Sequence, residues 1–133
     1  MLMDAGPQSE WLTNRLYWGG PAAYEQAEID VLLPLCRGAK VVLDIGAHVG
    51  WFTLQVALRE PDARVIAFEP VAVVFDRLAR NVVINGLSNV MCVPAAVGAR
   101  RTQLPLYSPL HGIDTNASSS VGLGAGSGRM EAR

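Results

Sequence analysis

The sequence VVLDIGAHVG at residues 41–50 decides the fold of this chain. Residues 41–45 form a short, mostly apolar run that is rich in β-branched side chains and bounded by glycines, which is typical of a buried parallel strand. Residues 46–50 form a glycine loop, and residues 51–60 have the apolar spacing of a helix. A strand that leads through a glycine loop into a helix predicts a nucleotide-binding βαβ unit.

The loop and two acidic residues form the candidate binding site. Asp44 lies near the end of the first strand, and Glu69 follows a second predicted strand at residues 64–68. Glu69 lies 19 positions after Gly50, close to the spacing of roughly 20 residues between such a loop and its ribose-binding acid. Because an ionised carboxylate only accepts hydrogen bonds, Glu69 suits the two hydroxyls of a ribose.

His48 distinguishes between two nucleotide ligands. It occupies the middle glycine position of the dinucleotide pattern G-x-G-x-x-G, so the loop here is G-x-x-x-G. Its side chain would crowd a pyrophosphate on the loop, and the Asp44 carboxylate would repel phosphate groups. A zwitterionic, positively charged ligand without phosphate fits better, which favours S-adenosylmethionine over a nicotinamide dinucleotide.

Beyond the loop, the chain resembles the FkbM family of class I methyltransferases. The resemblance rests on three stretches in the same order and spacing: VVLDIGAHVGWFTL at 41–54, RVIAFEP at 64–70 and LARNVVINGLSNVMCVPAAVG at 78–98. It extends over about residues 24–120. It implies a Rossmann-like fold, S-adenosylmethionine as cofactor and methylation of a hydroxyl on a small metabolite or sugar.

The resemblance also implies the residues of the cofactor site. They would be Asp44, Gly46, Ala47, His48, Gly50, Glu69, Pro70, Ala95 and Ala96. Asp44 and the two glycines would line the methionine and ribose side of the cofactor, and Glu69 would hold the ribose hydroxyls. The two alanines that follow the third strand would lie near the adenine. The family usually has Asn where His48 stands, so the resemblance implies a role for the loop backbone there and not for the side chain.

The remaining pattern predicts strands and helices that alternate around a parallel sheet. We expect an irregular arm at 1–20, a helix from Pro21 to Gly38, a helix at 71–85, a third strand at 90–93 and a short edge strand at 104–106. The helix at 71–85 should turn an apolar stripe towards the sheet, while its polar residues should face away: Asp76, Arg77, Arg80 and Asn81. Residues 117–133 have almost no large apolar side chains and should be disordered.

The predicted organisation is an N-terminal arm and helix at 1–40, a Rossmann-like half-domain at 41–107 with helices on both faces of its sheet, and a flexible Gly/Ser-rich tail at 108–133. The resemblance implies a fourth strand and further elements that would form a C-terminal half, which this chain lacks. The first strand should then keep one unpaired edge, which favours self-association. Most groups that position the methyl acceptor would lie in the missing half, so we assign no catalytic residue and expect no methyl transfer from this chain alone.

Composition argues against several other classes. The formal net charge is −1, and Arg100 and Arg101 are the only adjacent basic residues, so we expect no nucleic-acid partner. Cys36 and Cys92 lie far apart, which predicts free thiols and neither a disulfide framework nor a metal site. Without a signal peptide or an apolar stretch of membrane-spanning length, we expect a reduced cytoplasmic protein with a small-molecule partner and no membrane partner.

Two other functions stay open at this point. A nicotinamide-dependent oxidoreductase would use the same βαβ unit, although His48 argues against it. A non-catalytic, truncated fragment that at most binds cofactor weakly is favoured by the tail at 122–133, which matches no element of the fold.

Overall fold

The computed structural model describes residues 1–4 and 10–100, together with the backbone of three two-residue strands farther along the chain. Most of the predicted tail at 108–133, including its predicted disorder, therefore lies outside the described residues.

Helices and strands alternate along the described chain. Their bounds are α1 Glu10–Gly19, a 3-10 turn at Pro21–Ala23, α2 Gln26–Cys36, β1 Val41–Ile45, α3 Trp51–Arg59, β2 Arg64–Phe68, α4 Ala72–Ile84 and β3 Val90–Val93. The three short strands are β4 Leu106–Tyr107, β5 Ser120–Val121 and β6 Arg129–Met130, and β4 pairs antiparallel with both of the others. The alternation from β1 to β3 confirms the predicted α/β class.

The first three strands form one parallel sheet in the order β1-β2-β3. Its register aligns Asp44 with Ala67 and Cys92, so these three residues face the same side. On that side, α2, α3 and α4 pack against the strands. The core between them contains Leu54, Val56, Val65, Ala67, Leu78 and Val82, all buried.

The opposite face of the sheet is open in the described part of the chain. Val41, Leu43 and Ile45 are 55%, 57% and 61% exposed. The described helices thus cover one of the two faces for which helices were predicted. Among the described strands, none pairs with the outer edge of β1, so the unpaired edge stays a prediction.

Residues 10–19 of the N-terminal arm, predicted to be irregular, form a helix. Leu12 and Leu16, four residues apart on α1, pack against Val49 of the glycine loop. Tyr17 and Trp18 are 78% and 82% exposed. The prediction was wrong because two leucines at helical spacing are enough to hold one side of a short helix on the loop, while the exposed aromatic residues obscure the period.

The helix predicted from Pro21 begins only at Gln26. Pro21 opens a single 3-10 turn, and Glu25 then adopts a left-handed backbone with φ of 46°. The buried side of α2 contains Ile29, whereas Val31 is 64% exposed. The break at residues 24–25 resets the helical register, which sequence periodicity alone did not reveal.

Helix α4 corrects a further prediction. Asp76 and Arg80 face away from the core as expected, but Arg77 and Asn81 are 8% and 1% exposed. Residues 1–4 run along this side of α4 through hydrogen bonds to its asparagine side chains. A second layer therefore covers polar positions that a simple amphipathic helix would leave in solvent.

We predict that Gly50→Ala destabilises the fold more than Gly38→Ala does. Gly50 has φ of 95°, and a Cβ there would lie 2.8 Å from Leu78 Cδ1. The backbone strain costs about 1 to 2 kcal/mol, and the overlap adds about 1 to 3 kcal/mol. Urea unfolding measures the decrease in the free energy of unfolding.

Gly38→Ala is the matched control for this prediction. Gly38 also has a positive φ, of 70°, but a Cβ there would meet nothing within 4 Å. Gly38→Ala should therefore lower the free energy of unfolding only by the cost of the backbone strain. Equal losses in the two variants would show that the contact between Gly50 and Leu78 is not tight.

We also predict that the open sheet face drives self-association. Leu43→Lys should lower the apparent mass at high protein concentration in sedimentation experiments, because the charge interrupts the apolar surface beside the free edge. Val83→Lys is the control, since Val83 is 75% exposed on α4, away from this face. Equal effects of the two variants would contradict association through the sheet.

Candidate cofactor site

The glycine loop is fixed to the end of the second strand by its backbone. The N–H groups of Gly46 and Ala47 both donate to the carbonyl of Phe68, at 2.9 Å each. Gly46, His48 and Gly50 have positive φ angles of 82°, 52° and 95°. His48 is thus one of the non-glycine residues that tolerate the left-handed region, and the loop keeps its turn without the middle glycine.

Glu69 joins two loops at the same edge of the sheet. Its Oε2 accepts from the backbone N–H of His48 at 3.0 Å, and its Oε1 accepts from that of Val71 at 2.9 Å. The side chain is only 6% exposed. Burial raises the pKa of Glu69, the two N–H groups oppose that shift, and the charge of Asp44 adds to it. Each carboxylate oxygen has a second acceptor site, so Glu69 can hold the loop and still accept from a ligand.

Asp44 occupies the N-terminus of α3. Both the hydroxyl and the backbone N–H of Thr53 donate to its carboxylate. Burial raises the pKa of Asp44, and these bonds from Thr53 partly offset the shift. A helix N-terminus favours an anion, and here the anion is the chain's own carboxylate.

His48 stays neutral near pH 7. Burial and the guanidinium of Arg77 both lower the pKa of its imidazole below the ordinary value. The structure thus places a half-buried neutral ring where a dinucleotide-binding loop has a glycine.

The other predicted site residues lie at the same edge, where the parallel strands end. Gly46 is exposed, and a Cβ there would meet nothing within 4 Å, so the space above it is open. Ala47 and Gly50 are buried towards the helices and shape the loop from below. Ala95 and Ala96 are exposed just past β3, and Pro70 is half-buried beside Glu69.

Two asparagines that the sequence analysis did not assign to the site connect it to the N-terminus. Asn81 donates from Nδ2 to the carbonyl of Val49 at 2.8 Å, and its Oδ1 accepts from the N–H of Asp4 at 2.6 Å. Asn85 accepts from the N–H of Leu2 at 2.6 Å and donates to its carbonyl at 2.7 Å. Asparagine disfavours helix interiors, so Asn81 inside α4 was the available signal, whereas Asn85 caps the end of this helix.

The described residues contain neither a metal cluster nor a membrane-spanning helix. Among them, no group of three or more potential metal ligands is close enough to hold a metal ion. Within the same part of the chain, every helix falls short of the length and apolar character that crossing a bilayer requires.

The chain is similar to methyltransferases. Over 70 residues, 51% of the chain, it is 37% identical to Methyltransferase sdnD of Sordaria araneosa, and over 76 residues, 56% of the chain, it is 29% identical to Methyltransferase 1 of Beauveria bassiana. It spans 27% and 30% of the lengths of these relatives. No family model matches the chain.

A solved structure shows the same fold. Coclaurine N-methyltransferase, crystallised with N-methylheliamine and SAH, aligns with 59% of this chain and 24% of its own length, with a TM-score of 0.51 and 24% identity. The aligned part of this chain therefore shares the Rossmann-like fold of that methyltransferase.

We predict that His48 makes stability fall on acidification. Since its folded pKa lies below the unfolded value, the unfolded chain binds a proton first as the pH drops below about 6.5. The free energy of unfolding should then decrease from about pH 6.5 towards the folded pKa. In His48→Asn, which tolerates the same backbone, this decrease should vanish in denaturant titrations between about pH 7.5 and 5.5.

His111 provides the control, because the chain has two histidines and His111 lies outside the described residues. The pH dependence of His111→Asn should follow the unmodified protein. If the His48→Asn curve also runs parallel to it, the burial of His48 does not affect its titration.

Proposed function

We propose that this chain forms the S-adenosylmethionine-binding part of a class I methyltransferase of the FkbM type. The whole protein would transfer a methyl group to a hydroxyl of a small metabolite or sugar. The observation that carries the proposal is the Asp44 carboxylate at the N-terminus of α3.

This carboxylate discriminates between the two ligand classes. In dinucleotide-binding units, the pyrophosphate lies at the helix N-terminus that follows the first strand. Here Asp44 already accepts the Thr53 hydroxyl and N–H at that position, so phosphate groups would meet a like charge. The ammonium group of S-adenosylmethionine would be attracted instead, and this argues against a nicotinamide-dependent oxidoreductase.

The surrounding residues fit the rest of S-adenosylmethionine. The open space above Gly46 leaves room for a ligand over the loop. Glu69 has acceptor capacity left for the ribose hydroxyls, and the small, exposed Ala95 and Ala96 leave room for a flat base. When bound, the cofactor supplies a methyl group that its sulfonium has already activated for transfer.

The contribution of these residues is binding and orientation. Methyl transfer also requires an acceptor atom held in line with the methyl group and the removal of its proton. We assign no catalytic base to the described residues. Because the chain spans 27% and 30% of two methyltransferase relatives, a fragment that binds cofactor without turnover is the second candidate function.

We predict that the chain binds S-adenosylmethionine and S-adenosylhomocysteine more tightly than NAD. Isothermal calorimetry with all three ligands under one buffer condition measures the order. The reason is the charge of Asp44, which attracts an ammonium group and repels a pyrophosphate. Tighter binding of NAD would sink the methyltransferase proposal, whether or not the chain is active by itself.

We predict that Glu69→Gln weakens binding of S-adenosylhomocysteine. A hydrogen bond to a charged acceptor contributes about 1.5 to 3 kcal/mol, so losing one should reduce affinity by a factor of roughly 10 to 150. Asp76→Asn is the control, because Asp76 is an exposed acid on α4.

Calorimetry gives the affinities, and urea unfolding checks that each variant is folded, since Glu69 also holds the loop. Unchanged affinity in a folded Glu69→Gln protein would remove Glu69 from the site.

A further inference from the structure

We propose that a cleft between residues 1–3, α1 and the start of α3 binds the methyl acceptor. The acceptor would be a largely apolar small molecule, not a sugar, with an oxygen or nitrogen that accepts a hydrogen bond from Trp51. The inference rests on the proposed function, since it assigns the second substrate of the same site.

The cleft has the size and the walls of a small-molecule site. Its volume is about 390 Å³, within the roughly 300 to 1,000 Å³ typical of such sites. Its walls consist mostly of apolar and aromatic side chains, together with two polar ones: Met1, Leu2, Met3, Leu16, Tyr17 and Trp51, with Thr13 and Asn14. Because the apolar and aromatic side chains predominate, the cleft suits a hydrocarbon skeleton better than the many hydroxyls of a sugar.

Trp51 supplies the polar recognition. It is 4% exposed, and among the described residues its indole Nε1 is the buried side-chain polar atom without a hydrogen-bond partner. Buried donors are almost always paired, so an acceptor atom on a ligand is the partner this group requires. The ring of Tyr24 meets the indole edge-on at a centroid distance of 5.7 Å and limits its rotation.

The cleft adjoins the glycine loop. Trp51 directly follows Gly50, and Met3 packs against the clusters that contain Ala47 and Val49. A molecule in the cleft would therefore lie next to the loop proposed to hold the cofactor. Methyl transfer requires this proximity between the two substrates.

Residues 1–4 are held against the end of α4 by side chains alone. Asn81 and Asn85 form hydrogen bonds to their backbone, and Arg80 forms an ion pair with Asp4 at 3.1 Å, without a strand or helix at residues 1–4. The Trp51 Nε1 exposes less than 1 Å², so a ligand that accepts its hydrogen bond requires a neighbouring group to shift, and we propose that residues 1–4 do so. Binding should therefore change the surroundings of residues 1–4 together with those of Trp51.

The test uses 2-naphthol as an apolar probe with an oxygen, naphthalene as the same skeleton without it, and glucose as the sugar. Each is titrated into ¹⁵N-labelled protein saturated with S-adenosylhomocysteine. We expect 2-naphthol to shift signals of Leu16, Tyr17 and Trp51, with glucose causing no shift. Binding of glucose at these residues, or no shift with 2-naphthol, would overturn the proposal.

Trp51→Phe isolates the hydrogen bond. It should weaken 2-naphthol binding about fivefold to tenfold, as expected for one lost hydrogen bond, and leave naphthalene binding unchanged. Equal weakening of both probes would show that Trp51 is only a wall. If Trp51→Phe does not fold, Tyr17→Ala replaces it and should weaken both probes about threefold. Val31→Ala is its control, because Val31 is exposed on α2 and does not line the cleft.

Two further measurements distinguish the cleft from the cofactor site and from a contact between copies of the chain. Binding of S-adenosylhomocysteine without binding of 2-naphthol would refute the cleft and leave the proposed function standing. Binding of 2-naphthol without binding of S-adenosylhomocysteine would refute the proposed function, and the cleft would then no longer be assigned to a methyl acceptor. Cleft signals that shift with protein concentration, without any probe, would identify a second copy of the chain as the occupant and overturn the proposal.

Discussion

The site depends on the way the end of the second strand holds the glycine loop. The Phe68 carbonyl accepts two loop N–H groups, and the neighbouring Glu69 carboxylate accepts a third from His48. These bonds satisfy backbone donors that the turn would otherwise bury without partners, which is costly in a protein interior. The loop can therefore adopt three positive φ angles in five residues, although one belongs to a histidine.

The same loop organises the layer above it. The Val49 carbonyl accepts from Asn81, and Asn81 also accepts from the N–H of Asp4. Leu12 of α1 packs on the Val49 side chain. The N-terminal segment is thus attached to the loop by polar and apolar contacts, and Asn81, which joins the two, is 1% exposed.

Asp44 at the end of β1 and the two glycines of the loop contribute to the site in different ways. Asp44 contributes a carboxylate whose pKa burial raises, and the hydrogen bonds from Thr53 favour its charged form against that shift. Gly50 contributes space, because a Cβ would overlap Leu78. Gly46 contributes access, since the space above it is open. The two glycines have similar backbone conformations, yet Gly50 faces the core and Gly46 faces the open edge where we propose that the cofactor binds.

The sequence by itself determined the parallel sheet, the loop and the acidic pair, because these depend on local patterns: β-branched runs, glycine spacing and an acid that follows a strand. It also indicated the ligand class, through His48 in the loop. Only the tertiary structure decided the state of α1, the register of α2 and the burial of Arg77 and Asn81. Those features arise from contacts between segments distant in sequence, such as Leu2 with Asn85. Hydrophobic periodicity describes one face of one element and contains no information about a second layer that covers the other.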